Sequence, residues 1–185
     1  MNIAVFASGS GSNAQKIFDH FKNHKSIKVA LVVCNKPNAF VIERAQKENI
    51  PVLLIDKSSF KDENFMLTKL KAYHIEFIVL AGFLWLIPNF LTKSFHNKMV
   101  NIHPALLPKY GGKGMHGHFV HEAVYKNKEK ESGITIHYVN EVYDSGEIIF
   151  QAKCNVEGLN PEEIAAAVLK LEHENFPKVI EKLLS

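Results

Sequence analysis

Asn2-Ile3-Ala4-Val5-Phe6-Ala7-Ser8-Gly9-Ser10-Gly11-Ser12-Asn13-Ala14 opens on a short aliphatic run, breaks at a glycine and serine turn, and continues into a segment carrying Ile17 and Phe21 at helical spacing. A second β-branched run at 27–33 completes a βαβ unit, with its helix expected over about 12–24. The alternation goes on through a helix near 39–48, a strand at 51–55, a helix near 62–73 and strands at 76–81 and 99–102. Five strands with helical crossovers imply an α/β fold of Rossmann-like type: a mostly parallel twisted sheet, helices on both faces and right-handed connections. After a helix starting near His118, apolar runs at 134–139 and 148–154 flank a polar turn and predict a late antiparallel extension of that sheet. Asn160-Pro161-Glu162-Glu163 is a helix start, with a side-chain cap, proline in the first turn and acids at the positive dipole end. The terminal helix is expected to be interrupted or kinked at Pro177. No repeat, linker or low-complexity stretch divides the chain, so residues 1–185 are expected to form a single domain.

At 46% hydrophobic and 22% charged residues the chain has enough apolar material for one core. Its 22 basic and 19 acidic residues are interspersed and leave a net charge of +3, short of a nucleic-acid or membrane footprint. A small anionic ligand suits that balance better than a polymer. Cys34 and Cys154 match no metal, redox or disulfide spacing and read as inert core thiols in a reducing compartment. The first residues carry no basic region and only a short apolar run, and nowhere do about 18 apolar residues follow one another. A cytoplasmic protein is expected.

Gly9-Ser10-Gly11-Ser12-Asn13-Ala14 fits the GxGxxA form of a nucleotide-binding turn between strand and helix. The second strand ends in Asn35-Lys36-Pro37, without the acid that would hold an adenosine ribose. A single phosphate or phosphosugar is therefore the better ligand, and glycines serving only a tight turn are the bland alternative. Asn101-Ile102-His103-Pro104-Ala105-Leu106-Leu107-Pro108 places an amide and an imidazole two residues apart, on the same side of an extended chain. That pair suits an oxyanion hole at the carboxyl end of a strand, where such sheets bind ligands; a capped strand end with a satisfied histidine is the other reading. Asp144, in Tyr143-Asp144-Ser145-Gly146, is by itself ordinary turn chemistry. His116, His118 and His121 have neither cysteine nor paired carboxylate beside them and fit no metal motif, so two or more of them read as solvent-facing or helix-capping groups.

Taken together, the loop 9–13, Leu80-Ala81-Gly82-Phe83-Leu84, the Asn-x-His-Pro-x-Leu-Leu-Pro block at 101–108 and Asp144-Ser145-Gly146 resemble the folate-dependent formyltransferases, over almost the whole chain. The block is specific for the class but does not choose the acceptor. The loop, which resembles a phosphate site for glycinamide ribonucleotide, points within the family to that acceptor, as do the lack of room for a tRNA-contacting domain and of an N-terminal regulatory domain. The resemblance implies a transferase that moves the formyl group of 10-formyltetrahydrofolate, a co-substrate, to that amine in purine biosynthesis. It further implies catalytic roles for Asn101, His103 and Asp144, with His103 held protonated by Asp144. Gly11, Ser12, Asn13 and Glu172 would hold the acceptor, and Leu84, Trp85, Ile87, Asn101, Val139, Glu141 and Tyr143 the folate. It implies no metal, no nucleic acid or membrane partner, and a monomer or weak homodimer. The sequence departs from the family pattern in the glycine-rich segment 110–118, in Trp85 where a basic residue is common, and near 60–63, where an arginine is missing and Lys61 is the available substitute. A formyltransferase acting on another amine, or a non-catalytic phosphosugar or folate-binding module, are the competing expectations.

Overall fold

The computed structural model describes residues 1–185. Five parallel strands, β1 (Asn2–Ala7), β2 (Lys28–Cys34), β3 (Val52–Leu54), β4 (Ile75–Leu80) and β5 (Met99–His103), are followed by β6 (Glu131–Tyr138) and β7 (Ile148–Asn155). They form one seven-stranded sheet in the order β3-β2-β1-β4-β5-β6-β7. The pairings from β3 through β5 are parallel, and β5 with β6 and β6 with β7 are antiparallel, as the sequence leads one to expect.

Strand β1 is buried on both faces from Ile3 to Ala7, which is why its sequence is a continuous apolar run rather than an alternating one. On one face Ile3, Val5 and Ala7 pack with α1 (Ser12–Phe21), α2 (Val41–Lys47) and α7 (Pro161–Leu184). On the other, Ala4 and Phe6 pack with α3 (Lys57–Lys61), α4 (Glu63–Ala72) and α5 (Asn89–Ser94). The short helices α3 and α5 are absent from the sequence reading, and α1 ends at Phe21, earlier than expected. There the chain turns back on His24, whose Nδ1 accepts hydrogen bonds from the Ser26 and Ile27 amides.

Helix α7 starts as its sequence signals: Asn160 accepts from the Glu163 amide and Glu163 accepts from the Asn160 amide. A cap of this kind is worth about 1 kcal/mol. Contrary to the expected interruption, α7 runs unbroken through Pro177 for 24 residues. Phe176, Pro177 and Ile180 are all buried against the sheet, and that burial offsets the lost backbone hydrogen bond.

β1 pairs with β2 on one side and β4 on the other, so the chain reverses its direction of winding between β1 and β4. Sheets of this kind open their ligand crevice at such a switch point. The two strand ends are tied there: the Ser8 amide donates to the Gly82 carbonyl at 3.1 Å, and Ser8 Oγ accepts from the Leu84 amide at 3.1 Å.

Candidate active site

A cavity of about 720 Å³ opens at this switch point. At one end lies the loop before α1. Gly11 is the N-cap residue with φ 71°, a left-handed conformation that glycine adopts freely, and no side chain caps the helix. A Cβ on Gly11 would sit 2.6 Å from Val41 Cβ, so the loop also needs glycine to lie against α2. Arg44 props the loop from behind, its Nε donating to the Ser10 carbonyl at 2.9 Å. The free amide groups of the first turn and the helix dipole suit an anion. Beside them Asn13 Nδ2 donates to Glu172 Oε2 at 2.7 Å. Glu172 is 8% exposed. Burial pushes its carboxyl up to about 7 against the opposing Asn13 hydrogen bond.

Between the two ends β5 presents Asn101 and His103 to the same side. Antiparallel pairing sets His137 of β6 opposite Asn101 and Thr135 opposite His103. Asn101 Nδ2 lies 3.1 Å from His137 Nε2, while His137 Nδ1 lies 2.8 Å from the Tyr138 carbonyl. The carbonyl can only accept, so Nδ1 of His137 carries a proton, and Nε2 is the nitrogen that faces Asn101 and Asp144. The Thr135 hydroxyl accepts from the Leu107 amide at 3.0 Å and donates to the Ala105 carbonyl at 2.7 Å, pinning the proline-flanked segment that follows His103.

Asp144 reaches this group from the β6 to β7 turn with φ 52°, a left-handed conformation aspartate tolerates. Its Oδ2 lies 3.5 Å from His103 Nδ1 and accepts from the Gly112 amide at 2.9 Å; its Oδ1 lies 3.5 Å from Asn101 Nδ2 and 3.6 Å from His137 Nε2. A Cβ on Gly111 would come within 2.5 Å of Leu107 Cδ2 and 3.3 Å of Asp144 Cβ, so the glycine-rich segment must be slender to reach the carboxylate. His103 Nε2 donates to the Tyr110 carbonyl at 2.7 Å, which leaves Nδ1 facing Asp144 as the position where a second proton would reside.

Burial pulls the His103 imidazole below its ordinary range and outweighs the opposing pull of Asp144 and the Tyr110 carbonyl. In the free protein burial thus favours the neutral ring, because a 3% exposed imidazole lacks the hydration a cation needs. Burial pushes the Asp144 carboxyl up, but the His137 contact, the positive charge His103 carries when protonated, and the Gly112 amide together hold it below the usual carboxylate range. Asp144 is thus ionised and able to stabilise a proton arriving at His103.

The far wall holds Leu84, Trp85, Ile87, Val139 and Tyr143. Trp85 belongs to an aromatic cluster, 5.7 Å from Phe60 and 6.2 Å from Phe83 between ring centres. Of the sequence-derived site residues, only Glu141 and Lys61 fall outside the lining of this cavity. The 139–145 turn is stapled by Asn140 Oδ1, which accepts from the Val142 amide and the Ser145 hydroxyl, and Glu141 is left exposed in water. Lys61 ends α3 and is likewise exposed. Among the polar residues of the lining, His137 escaped the sequence reading. Thr135, His137 and Val139 alternate on one face of the β6 run, and that period of two was the available signal.

The chain matches the formyl transferase family over residues 1–180. It is 40% identical over 185 residues to a chloroplastic phosphoribosylglycinamide formyltransferase of Arabidopsis thaliana, covering 96% of this chain but 63% of that protein. The chain thus spans less than two thirds of the length of that relative. It is 38% identical over 187 residues to phosphoribosylglycinamide formyltransferase of Bacillus subtilis, covering 98% and 93% of the two chains. A crystal structure of glycinamide ribonucleotide transformylase 1 from Geobacillus kaustophilus superposes with a TM-score of 0.90 at 38% identity, covering all of this chain and 98% of the other. On this agreement of sequence, fold and site the chain belongs to the formyl transferase family.

Proposed function

We propose that this chain transfers the formyl group of 10-formyltetrahydrofolate to the amine of N1-(5-phospho-D-ribosyl)glycinamide, giving the N-formyl product and tetrahydrofolate in the de novo route to purines (IMP). One observation carries the reading: a single cavity joins an uncapped helix start suited to phosphate, the Asn101, His103 and Asp144 cluster, and an apolar wall. The names of the relatives add the acceptor.

In this proposal Gly11, Ser12 and Asn13 hold the phosphate through backbone amides, and no arginine lines the cavity to do so instead. Glu172 ionises as the acceptor arrives and takes one proton from its ammonium end, and the neutral amine then lies toward Asn101 and Asp144. Leu84, Trp85, Ile87, Val139 and Tyr143 enclose the folate rings. The acceptor nitrogen then forms a bond to the formyl carbon, whose oxygen becomes an oxyanion, and Asn101 Nδ2 turns from His137 to stabilise it. The proton released by the attacking nitrogen is taken up by Asp144 and His103 and delivered to the departing folate nitrogen as its bond to carbon breaks. Neutral His103 gains its charge during this step, with Asp144 as counter-ion. The bonds balance without a metal.

The same reading has residues 1–185 working on small molecules as one formyltransferase domain, in the cytoplasm, as a monomer or weak homodimer. No helix is long and apolar enough to cross a membrane. Incubation with both substrates should yield tetrahydrofolate and formylated acceptor in equal amounts. Binding of both without either product would favour a non-catalytic module, and faster formylation of an amino sugar nucleotide would reassign the acceptor.

A further inference from the structure

Two groups lining the cavity are buried without a partner: Asn13 Oδ1 and His121 Nδ1. Asn13 belongs to the phosphate cradle already described, whereas His121 has no part in the chemistry above. It sits on α6 (His118–Lys126), 7% exposed, and the surface it retains opens into the cavity. His103 and His137 each commit a ring nitrogen to a backbone carbonyl. His121 has no such anchor for its buried Nδ1. An unpaired buried polar atom is costly, and an aliphatic side chain would fill this helix face without that cost. The arrangement suits a group whose partner comes from outside the chain.

The position of His121 narrows what that partner is. Helix α6 packs on α7, whose Ala165, Val168 and Leu169 also line the cavity. His121 also lies close enough to His103 for their charges to interact: burial first, then His103 and His118, hold its imidazole below the ordinary range, so it is neutral at pH 7. His121 therefore lines the same cavity as the α7 wall and the catalytic histidine. With phosphate at Gly11 to Asn13 and the reacting amine at Asn101 and Asp144, the part of the acceptor that crosses this wall is the sugar. A neutral imidazole can both accept from and donate to a hydroxyl.

We propose that His121 is a sugar-binding residue whose imidazole hydrogen-bonds a ribose hydroxyl of the phosphorylated acceptor. This deepens the acceptor assignment made above and rests on it.

The test compares wild type, His121→Leu and His121→Asn in steady-state kinetics with the ribonucleotide acceptor and with its 2′-deoxy and 3′-deoxy counterparts, alongside thermal melting. In His121→Leu the KM for the ribonucleotide should rise about three- to tenfold, the value of a neutral hydrogen bond. The KM for the folate and kcat should stay as in wild type, and Tm should hold or rise because an unpaired polar atom is gone. With one of the two deoxy acceptors the variant and wild type should become equivalent. His121→Asn, which keeps a polar group on the helix, should lie between them and serves if the leucine variant fails to fold. An unchanged KM for the ribonucleotide in a folded variant overturns the proposal, as does an equal loss with all three acceptors or a fall in kcat at constant KM. A wild-type protein that formylates no ribonucleotide sinks the acceptor assignment itself and this proposal with it. An active wild type with an indifferent His121→Leu sinks this proposal alone.

Discussion

Replacing Glu172 by glutamine separates the stability of the fold from the needs of the site. The carboxyl is lifted by burial from 4.5 to about 7. It therefore contributes stability that is fully present below its unfolded value and is lost as pH rises through the folded one. At about 1.36 kcal/mol per pH unit, that lift corresponds to roughly 3 kcal/mol of destabilisation once the group is ionised in a chain without ligand. Glutamine is neutral at every pH and keeps an oxygen for Asn13 Nδ2, which now donates at 2.7 Å. The free energy of unfolding of wild type and Glu172→Gln, measured by urea titration without ligand, should differ little near pH 5. By about pH 8.5 the variant should be the more stable by roughly 2–3 kcal/mol. A difference that is flat across this range would refute the reasoning, since it would mean that the carboxylate is hydrated in the folded protein. The same variant should bind the acceptor less well, because a neutral amide cannot pair with its ammonium end.

Asn101→Ala should lower kcat by a factor of about 100 to 1,000, the usual consequence of losing one preorganised oxyanion donor; a loss confined to KM would remove Asn101 from the transition state. Asp144→Asn deprives the proton on His103 of its counter-charge and should cut kcat while both substrates still bind, and near-normal turnover would contradict the proposed proton path. Gly111→Ala forces a methyl group to within 2.5 Å of Leu107 and 3.3 Å of Asp144. By displacing the carboxylate it should lower kcat on the order of 100-fold, and single-turnover kinetics on folded protein would show whether the loss lies in chemistry.

The parallel strands and the long helix are legible in the linear chain because their causes are local. β1 is an unbroken apolar run since both its faces are covered, and α7 announces itself through Asn160, Pro161 and Glu163 within one turn. The short helices α3 and α5 are not legible, since five or six residues are too few to display a helical period. Pro177 misleads because its local cost is offset by packing with Phe176 and Ile180 that no neighbouring residue reveals.

At the site, the block from Asn101 to Pro108 is sufficient to mark the strand end, its two polar side chains and, through resemblance, the family. Asp144 looks like any turn aspartate until the β6 to β7 turn carries it to 3.5 Å from His103. His137 enters the cluster only through the antiparallel register that sets it against Asn101, and His121 only through the packing of α6 on α7. The protonation of His103 likewise depends on its surroundings, for burial overrides its acidic neighbour. Sequence by itself determined which groups are available and which segments are strands and helices, because hydrophobic periodicity and capping act over a few residues. Tertiary structure alone decided which of those groups meet and in what charge state, because register, distance and desolvation are properties of segments far apart in the chain.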